Sequence, residues 1–386
     1  MSSFEYLQDR LAELSPHDRR RRLVPRVARG VWLSEPGHRE LINFGSNDYL
    51  GLAAGHEVPL PSTASGTTST GSGASALVCG WSAQHQALAE QIAQLESTES
   101  AVLFPTGFAA CSGTVATLAE AGDLILSDRL NHASLIDGCR LSRATRLVFP
   151  HRDCDAVQQI LQRRRGEFAR VWIVTDAVFS MDGHLAPLPR LCDLAEQYDA
   201  TLIVDEAHGT GVFGRNGSGM CEEFGVKDRV PIRIGTLSKA IGSQGGFVAA
   251  PRAVSDYLVN RCRSLIYSTA LAPPAVAAAA DAIGRIRDEP WRRIHLHRLA
   301  RRVREGLSIE VDPTESRGPI IPVPMGEDRA AVAASARLAE AGFFVPAIRP
   351  PTVPEGGARL RISLSAAHDD AMIDALVAAI HAITPH

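Results

Sequence analysis

The stretch Leu202-Ile-Val-Asp205-Glu-Ala-His208-Gly209 decides the fold of this 386-residue chain. Its apolar residues lead into an aspartate and a histidine, and the later run Ile232-Arg-Ile-Gly-Thr-Leu-Ser-Lys239 leads in the same way into a serine and a lysine. Each pattern is typical of a buried strand followed by polar side chains. Because ligands of open α/β sheets bind at the carboxyl ends of the strands, the two runs predict a binding site at one sheet edge.

Further apolar runs flank these two and are separated from one another by helical stretches. They are Ala101–Phe104, Leu124–Leu126, Arg146–Phe149, Val171–Thr175 and Gly246–Ala249. Near-continuous apolar strands alternating with helices are typical of a parallel sheet that is covered on both faces. The sequence therefore predicts an α/β protein whose large domain has a mainly parallel seven-stranded sheet.

The pattern changes along the chain in a way that predicts three segments. Residues 1–45 form an N-terminal arm, which begins as an amphipathic helix. Residues 46–285 form the large domain. Residues 286–386, with a charged helix, several strand-like runs and a terminal helix, form a smaller α+β domain at the C-terminal end.

Composition restricts the possible partners and the compartment. Basic and acidic residues nearly balance, at a net charge of −3, so no overall field favours nucleic acid or an anionic membrane. The 7 cysteines have no C-x-x-C spacing, which favours reduced thiols over a disulfide or metal framework. The N-terminus lacks the apolar core of a signal peptide. We therefore expect a cytoplasmic protein without a metal and without a nucleic-acid or membrane partner.

The pairing of Asp205 with Lys239 predicts a site for pyridoxal 5'-phosphate (PLP). A lysine amine forms the imine through which PLP is attached. An aspartate keeps the pyridine nitrogen protonated, and the ring can then withdraw electrons from a carbanion on a bound amino acid. Since His208 follows Asp205 at the same predicted sheet edge, these residues together indicate an enzyme that acts on an amino acid.

Two other segments can complete this site. Phe104-Pro-Thr-Gly107-Phe108 leads from a strand into a helix predicted to begin near Ala109, so backbone N–H groups near Gly107 can face a phosphate. The hydroxyls of Thr236 and Ser238 can donate to the same phosphate. His132, which follows the strand at Leu124–Leu126, has two interpretations: a residue that caps a helix or packs in the core, and a ring stacked on the coenzyme.

These runs, with others, resemble the α-oxoamine synthases, PLP-dependent enzymes of fold type I that condense an amino acid with an acyl thioester and release carbon dioxide. The resemblance extends over nearly the whole chain. The matching runs are Ser46–Gly51, Gly107-Phe108, Asp128–Ser134, Asp176–Gly183, Val204–Gly211, Thr236–Lys239 and Tyr267–Thr269. It implies a homodimer.

The resemblance also implies a role for each coenzyme residue. Lys239 forms the imine and later removes the Cα proton of the amino acid, and Asp205 holds the pyridine nitrogen. The other implied contacts are His132 on the ring, Ser180 and His208 at the ring oxygen, Gly107, Phe108 and Thr236 at the phosphate, and Ser268 or Thr269 at the phosphate of the partner subunit.

Within the family, Ala347–Pro354 and Arg359–His368 most resemble members that join L-alanine to a pimeloyl thioester, carried by coenzyme A or an acyl carrier protein. This resemblance implies that Arg361 binds the amino-acid carboxylate, with Asn47 nearby and His132 beside the reacting groups. It also implies an acyl-substrate entrance lined by Arg21, Arg349 and Thr352.

Some alternatives stay open. The glycine loop at residues 71–80 departs from the family at Ala76 and Cys79, near the implied substrate entrance. Related enzymes use glycine with acetyl- or succinyl-CoA, or serine with a long acyl chain. A different class of function is that of a non-catalytic partner subunit without PLP, and the presence of Lys239 beside Asp205 argues against it.

Overall fold

The computed structural model describes residues 4–15, 18–35, 40–54, 69–312 and 314–383. Its strands, numbered in chain order, are β1 (Val27–Arg29), β2 (Trp32–Ser34), β3 (Leu41–Asn43), β4 (Ser100–Phe104), β5 (Leu124–Asp128), β6 (Thr145–Phe149), β7 (Val171–Asp176), β8 (Thr201–Asp205), β9 (Ile232–Thr236), β10 (Gly246–Ala250), β11 (Ile320–Gly326), β12 (Phe343–Phe344), β13 (Ala347–Ile348) and β14 (Ala358–Ser363).

The α-helices are numbered in the same way. They are α1 (Glu5–Glu13), α2 (Ala83–Glu96), α3 (Gly107–Leu118), α4 (Ala133–Leu141), α5 (Cys154–Arg164), α6 (Leu188–Gln197), α7 (Met220–Glu223), α8 (Arg252–Arg261), α9 (Arg263–Ile266), α10 (Pro273–Asp288), α11 (Trp291–Gly306), α12 (Asp328–Glu340) and α13 (Asp370–Ile383). Among the described residues, no helix is long and apolar enough to cross a membrane.

The chain divides into two compact units. Unit 1 consists of Met1–Gly55, Met181–Gly183 and Ile294–His386, and unit 2 consists of His56–Ser180 and His184–Arg293. The sequence predicts three segments, namely an arm, a large domain and a small domain, and this division stays a prediction. The compact units differ from them mainly in that the whole N-terminal arm groups with the C-terminal segment.

Unit 2 contains the seven-stranded sheet, in the order β4-β10-β9-β8-β7-β5-β6. Strand β10 is antiparallel to both of its neighbours, whereas the pairs from β9 through to β6 are parallel. The predicted mainly parallel seven-stranded sheet is thus confirmed. It places the ends of β7, β8 and β9 side by side at one edge.

The central strands form because their apolar runs are buried on both faces. Every residue of β7 is buried, and Val174 of β7, Ile203 of β8 and Val115 of α3 belong to one core cluster. Burying a valine or isoleucine side chain contributes about 1.5–3 kcal/mol. This packing fixes the strand ends that carry the polar residues.

Unit 1 is built around two small sheets. One has the strand order β1-β2-β3-β12, and the other has the order β11-β14-β13. Strand β12 pairs in parallel with β3, with Phe343 opposite Ile42. This pairing explains why the N-terminal residues group with the C-terminal segment, and the mixture of helices and strands agrees with the predicted α+β character.

Candidate active site

The predicted coenzyme residues of unit 2 follow three adjacent parallel strands. Asp176 ends β7 and lies opposite Asp205, which ends β8. Asp205 in turn lies opposite Ile234 of β9, two residues before Thr236. The sheet therefore brings Asp205 and the segment leading to Lys239 to the same edge, as the sequence predicts, and it adds Asp176 beside them.

Lys239 and His208 are in direct contact. The Lys239 Nζ atom lies 2.9 Å from His208 Nε2. His208 is buried in the turn after β8, and Lys239 is half-buried in the turn after β9. A lysine amine that is held by an imidazole at the edge of a sheet is a suitable nucleophile for an aldehyde.

Asp205 is a buried carboxylate with a donor at each oxygen. Its Oδ1 accepts a hydrogen bond from the backbone N–H of Ala207 at 2.8 Å, and its Oδ2 accepts one from Cys111 Sγ at 3.1 Å. These bonds fix the orientation of the carboxylate. Each carboxylate oxygen has two lone pairs, so Oδ2 can still accept a bond from a ring nitrogen.

The neighbouring Asp176 is a buried carboxyl group whose pKa is shifted upward. Burial raises the pKa of Asp176 well above its ordinary value, and the negative charge of Asp205 adds to the effect. A hydrogen bond from the His132 backbone N–H to Asp176 Oδ2, at 2.7 Å, opposes the shift. Asp176 thus favours its neutral form, and it does not add a second negative charge beside Asp205.

His132 caps α4 and also exposes its ring. Its Nδ1 accepts a hydrogen bond from the Ser134 backbone N–H at 3.3 Å, which confirms the capping interpretation. The residue is exposed, yet desolvation by nearby protein atoms lowers its pKa, with Asp205 opposing and Lys239 reinforcing the shift. An exposed, neutral imidazole can stack on a planar ligand, so the stacking role stays a prediction.

The predicted phosphate-binding segment lies beside Thr236. Helix α3 begins at Gly107, two residues earlier than the predicted start near Ala109, because Thr106 acts as the cap and its hydroxyl accepts from the Ala109 N–H at 3.0 Å. A Cβ atom added at Gly107 would lie 3.0 Å from Thr236 Oγ1. The first-turn N–H groups of α3 and the Thr236 hydroxyl therefore occupy one small region.

The polar groups at this edge of unit 2 match the three chemical groups through which PLP can be bound. An amine suits its aldehyde, a buried carboxylate suits its pyridine nitrogen, and a helix N-terminus with a hydroxyl suits its phosphate. The glycine at position 107 leaves the helix start accessible, since a side chain there would crowd Thr236. The residues present fit this coenzyme.

Three other predicted coenzyme residues lie in neighbouring segments of unit 2. Ser180 is half-buried and follows β7 in the turn before the isolated bridge partner Leu185. Ser268 is half-buried and Thr269 is exposed. Thr269 forms an isolated bridge with Ser75 of the glycine loop. Their proposed contacts with a coenzyme stay predictions.

Unit 1 holds the predicted carboxylate-binding arginine. Arg361 in β14 is buried and donates from both terminal nitrogens to Asn47 Oδ1, at 3.2 Å each, and from Nη1 to Ser363 Oγ at 2.8 Å. Its Nη2 also lies 3.5 Å from Tyr49 Oη. These contacts orient the guanidinium. The structure confirms that Asn47 lies beside Arg361.

The residues predicted to line the acyl-substrate entrance also meet in unit 1. Arg21 Nη2 donates to Thr352 Oγ1 at 2.8 Å, and Arg349 donates to the backbone oxygen of Asp18. Arg19 holds the same arm segment through ion pairs with Asp328 and Glu355 at 2.6 and 2.5 Å. The arm and the loop at Arg349–Thr352 therefore form one local surface, on which Arg21 is exposed and Arg349 is half-buried.

Sequence reasoning missed the inner partners of these groups. The scattered cysteines give no sign of this role in the sequence, although Cys111 lies one helical turn beyond Gly107 and therefore on the same helix face. Nor are Tyr49 and Ser363 among the residues predicted to contact Arg361. The spacing of Ser363, two residues along the same strand, places it on the face of Arg361 and could have predicted that contact.

Glu206, next to Asp205, provides a pH-dependent test of the fold at this edge. Its buried carboxylate accepts hydrogen bonds from the N–H groups of Met220 and Cys221 at 2.9 and 2.7 Å. Burial raises its pKa to about 7, from an ordinary value of 4.5, although both hydrogen bonds oppose the shift. The folded state therefore binds this proton more tightly than the unfolded chain does.

The contribution of the Glu206 carboxyl group to the free energy of unfolding is greatest below pH 4.5 and falls as pH rises to about 7. We expect the free energy of unfolding of the wild type to fall by about 3 kcal/mol relative to Glu206→Gln across that range. Urea unfolding of both proteins at pH 5 and pH 8 measures the difference, with the exposed Glu305→Gln as control. A constant difference between wild type and Glu206→Gln would contradict the assignment.

Comparison with known proteins places the chain in a well-populated group. The family model for aminotransferase class I and II matches residues 39–380. The 8-amino-7-oxononanoate synthase of Methylococcus capsulatus is 47% identical over 384 residues, which cover 97% of each chain. The enzyme of the same name from Anaeromyxobacter dehalogenans is 46% identical over 351 residues, covering 90% of this chain and 88% of the relative.

A solved structure gives a similar fold at lower identity. The serine palmitoyltransferase of S. paucimobilis, with a PLP–myriocin adduct bound, superposes with a TM-score of 0.89 at 27% identity. The superposition covers 99% of this chain and 97% of that one. The structural similarity thus extends over the whole chain, whereas the higher sequence identity lies with the synthases.

Proposed function

Because the chain belongs to the aminotransferase class I and II family and, within it, to the 8-amino-7-oxononanoate synthases, we propose that it makes 8-amino-7-oxononanoate for biotin synthesis. The reaction condenses L-alanine with a pimeloyl thioester and releases carbon dioxide and free thiol. The observation that carries the proposal is the 2.9 Å contact of Lys239 with His208 beside the Asp205 carboxylate.

PLP is the proposed coenzyme and, when bound, supplies an electron sink for negative charge at the Cα atom of the amino acid. Lys239 would hold it covalently, Asp205 would bind its pyridine nitrogen, and His132 would lie against its ring. The N–H groups of the first turn of α3, with Gly107, Phe108 and the Thr236 hydroxyl, would bind its phosphate.

Lys239 has a second proposed role as the base that takes the Cα proton of alanine at its Nζ atom. General bases work best when they are held within hydrogen-bond reach and in one orientation. His208 Nε2 lies at hydrogen-bond distance from this amine, at 2.9 Å, and so directs it. Ser180 is proposed to share with His208 the binding of the ring oxygen.

The overall reaction exchanges one bond at the thioester carbon and two bonds at alanine Cα. A bond forms between alanine Cα and the thioester carbonyl carbon in place of the Cα–H bond, and the carbon–sulfur bond breaks to release thiol. The bond from Cα to the alanine carboxylate then breaks to release carbon dioxide, and a proton is returned to Cα. Arg361 is proposed to bind that carboxylate, because its guanidinium is buried and is held in one orientation by Asn47 and Ser363.

The acyl substrate is assigned to the arm surface of unit 1. Arg21, Arg349 and Thr352 are proposed to line its entrance, and the direct contact of Arg21 with Thr352 supports the grouping. A pimeloyl chain ends in a carboxylate, and coenzyme A and acyl carrier proteins both carry negative charge. Arginine side chains suit each of these anionic groups.

We further propose that the protein is a homodimer in the cytoplasm. Leu77 and Val78 of the glycine loop and Tyr267 beside it are 54%, 78% and 72% exposed. A group of exposed apolar side chains is typical of a protein–protein contact. In a dimer, Ser268 or Thr269, next to this surface, is proposed to reach the phosphate of the partner subunit.

Serine palmitoyl transfer is the second candidate, because the superposition on the S. paucimobilis enzyme covers nearly the whole chain. The identity of 46–47% to the synthases, against 27% to that enzyme, favours alanine and pimeloyl. The PLP-loaded protein should be offered L-alanine, glycine or L-serine with pimeloyl-, acetyl-, succinyl- or palmitoyl-CoA. We expect thiol release to be fastest with L-alanine and pimeloyl-CoA, and a faster serine–palmitoyl pair would replace the assignment.

Arg361→Lys tests the carboxylate assignment separately. Lysine keeps the charge but loses the paired donors of the guanidinium. We expect the KM for L-alanine to rise about 10–100-fold, the scale of one or two charged hydrogen bonds, while the KM for pimeloyl-CoA changes little. Steady-state kinetics against each substrate measures this, with the exposed Arg337→Lys as control. An unchanged KM for alanine would exclude Arg361 from carboxylate binding.

A further inference from the structure

Cys111 forms an unexpected contact at the base of the Lys239 site. Its side chain is 2% exposed, and its Sγ atom lies 3.1 Å from Asp205 Oδ2. An ionised carboxylate has no proton to donate, so the thiol must be the donor. The contact joins α3, whose first turn is the proposed phosphate site, to the carboxylate at the end of β8.

The thiol is suited to this role because it keeps its proton. Burial raises the pKa of Cys111 well above its ordinary value, and the negative charge of Asp205 raises it further. The sulfur is therefore a neutral donor at neutral pH. A thiolate in the same place would repel the carboxylate.

Asp205 requires such support because its carboxylate is removed from water. It is 4% exposed, at the end of a strand whose residues are mostly buried. Each Asp205 oxygen receives one donor, from the Ala207 N–H at Oδ1 and from Cys111 at Oδ2. Buried carboxylates keep their charge when hydrogen-bond donors stabilise the ionised form.

We propose that Cys111 is a positioning residue for the coenzyme, whose thiol orients the Asp205 carboxylate and favours the charged form that binds the pyridine nitrogen. The inference rests on the proposed use of PLP, and it is independent of the choice of amino acid and acyl donor. Cys111 touches Asp205 and acts on the coenzyme only through it.

The test compares Cys111→Val, which has nearly the same shape but no donor, with Cys111→Ser, which restores a donor. Apoprotein is titrated with PLP in the absence of substrate, and the dissociation constant is read from absorbance. We expect Cys111→Val to raise the dissociation constant about 3–10-fold and Cys111→Ser to restore it to within about twofold, on the scale of one hydrogen bond. Cys139→Val, a buried thiol of the same core cluster, should leave it unchanged.

A second readout distinguishes positioning from packing. A less protonated pyridine ring withdraws fewer electrons, so the pH midpoint of the lysine–PLP linkage should move upward in Cys111→Val and return in Cys111→Ser. Equal PLP affinity of all variants would overturn the inference about Cys111 but not the proposed function. Equal weakening by valine and serine, with lower thermal stability of the apoproteins, would indicate packing and would also overturn it. Failure of the wild type to bind PLP would overturn the proposed function as well.

Discussion

Lys239→Ala should lower turnover by at least about 10³-fold and abolish the visible absorbance of the lysine–PLP linkage. The loss has two sources, since the residue is proposed both to attach the coenzyme and to take the Cα proton. Positioned acid–base groups alone contribute about 10²–10⁴-fold. Alanine also leaves His208 without the amine that lies 2.9 Å from it.

The chain offers a matched control, because its only lysines are Lys227 and Lys239. Lys227 donates to the backbone oxygen of Leu95 at 2.9 Å, in a structural role. Borohydride reduction followed by peptide mass analysis should therefore place the PLP adduct on Lys239, and Lys227→Ala should keep both absorbance and turnover. An adduct on Lys227, or full turnover by Lys239→Ala, would contradict the assignment.

Asp205→Asn should lower turnover by about 10²–10³-fold, the scale seen when an electrostatic stabiliser is removed from an active site. Asparagine keeps the shape of the side chain but cannot hold a positive charge on the pyridine nitrogen. The electron sink is then weaker, and PLP itself should bind less tightly. Activity and PLP affinity are measured on the same preparations.

Asp176→Asn is the control for Asp205→Asn, because burial and the charge of Asp205 already favour the neutral form of Asp176. An asparagine oxygen can still accept the bond from the His132 N–H. We therefore expect a much smaller loss of turnover than for Asp205→Asn. Equal losses of turnover in the two variants would mean that removing the negative charge of Asp205 is not the cause of the lower activity.

The sequence predicts the large sheet well, because each strand is marked by a short local run of apolar residues. All seven predicted runs are strands in unit 2, because each is a local apolar run, and all but the exposed edge strand β6 are largely buried. The positions of Asp205, His208 and Lys239 follow directly, because polar residues after parallel strands must meet at one edge. Helix α3 starts two residues before the predicted position, because Thr106 supplies its cap.

Contacts between distant segments could not be predicted in the same way. The pairing of β12 with β3 joins residues that are far apart in sequence and leaves no local pattern. The bond from Cys111 to Asp205 depends on how α3 packs on the sheet. Likewise, Arg19 meets Asp328 and Glu355 only because the arm folds onto the C-terminal segment within unit 1.

The most direct test of the account is the stoichiometry of decarboxylative condensation. PLP-loaded protein is incubated with pimeloyl-CoA and L-alanine that carries ¹³C in its carboxyl carbon, and free thiol, labelled carbon dioxide and product mass are followed together. The account predicts equal amounts of thiol and labelled carbon dioxide, with a product of the mass of 8-amino-7-oxononanoate. Thiol release without labelled carbon dioxide, or conversion of alanine to pyruvate, would contradict it.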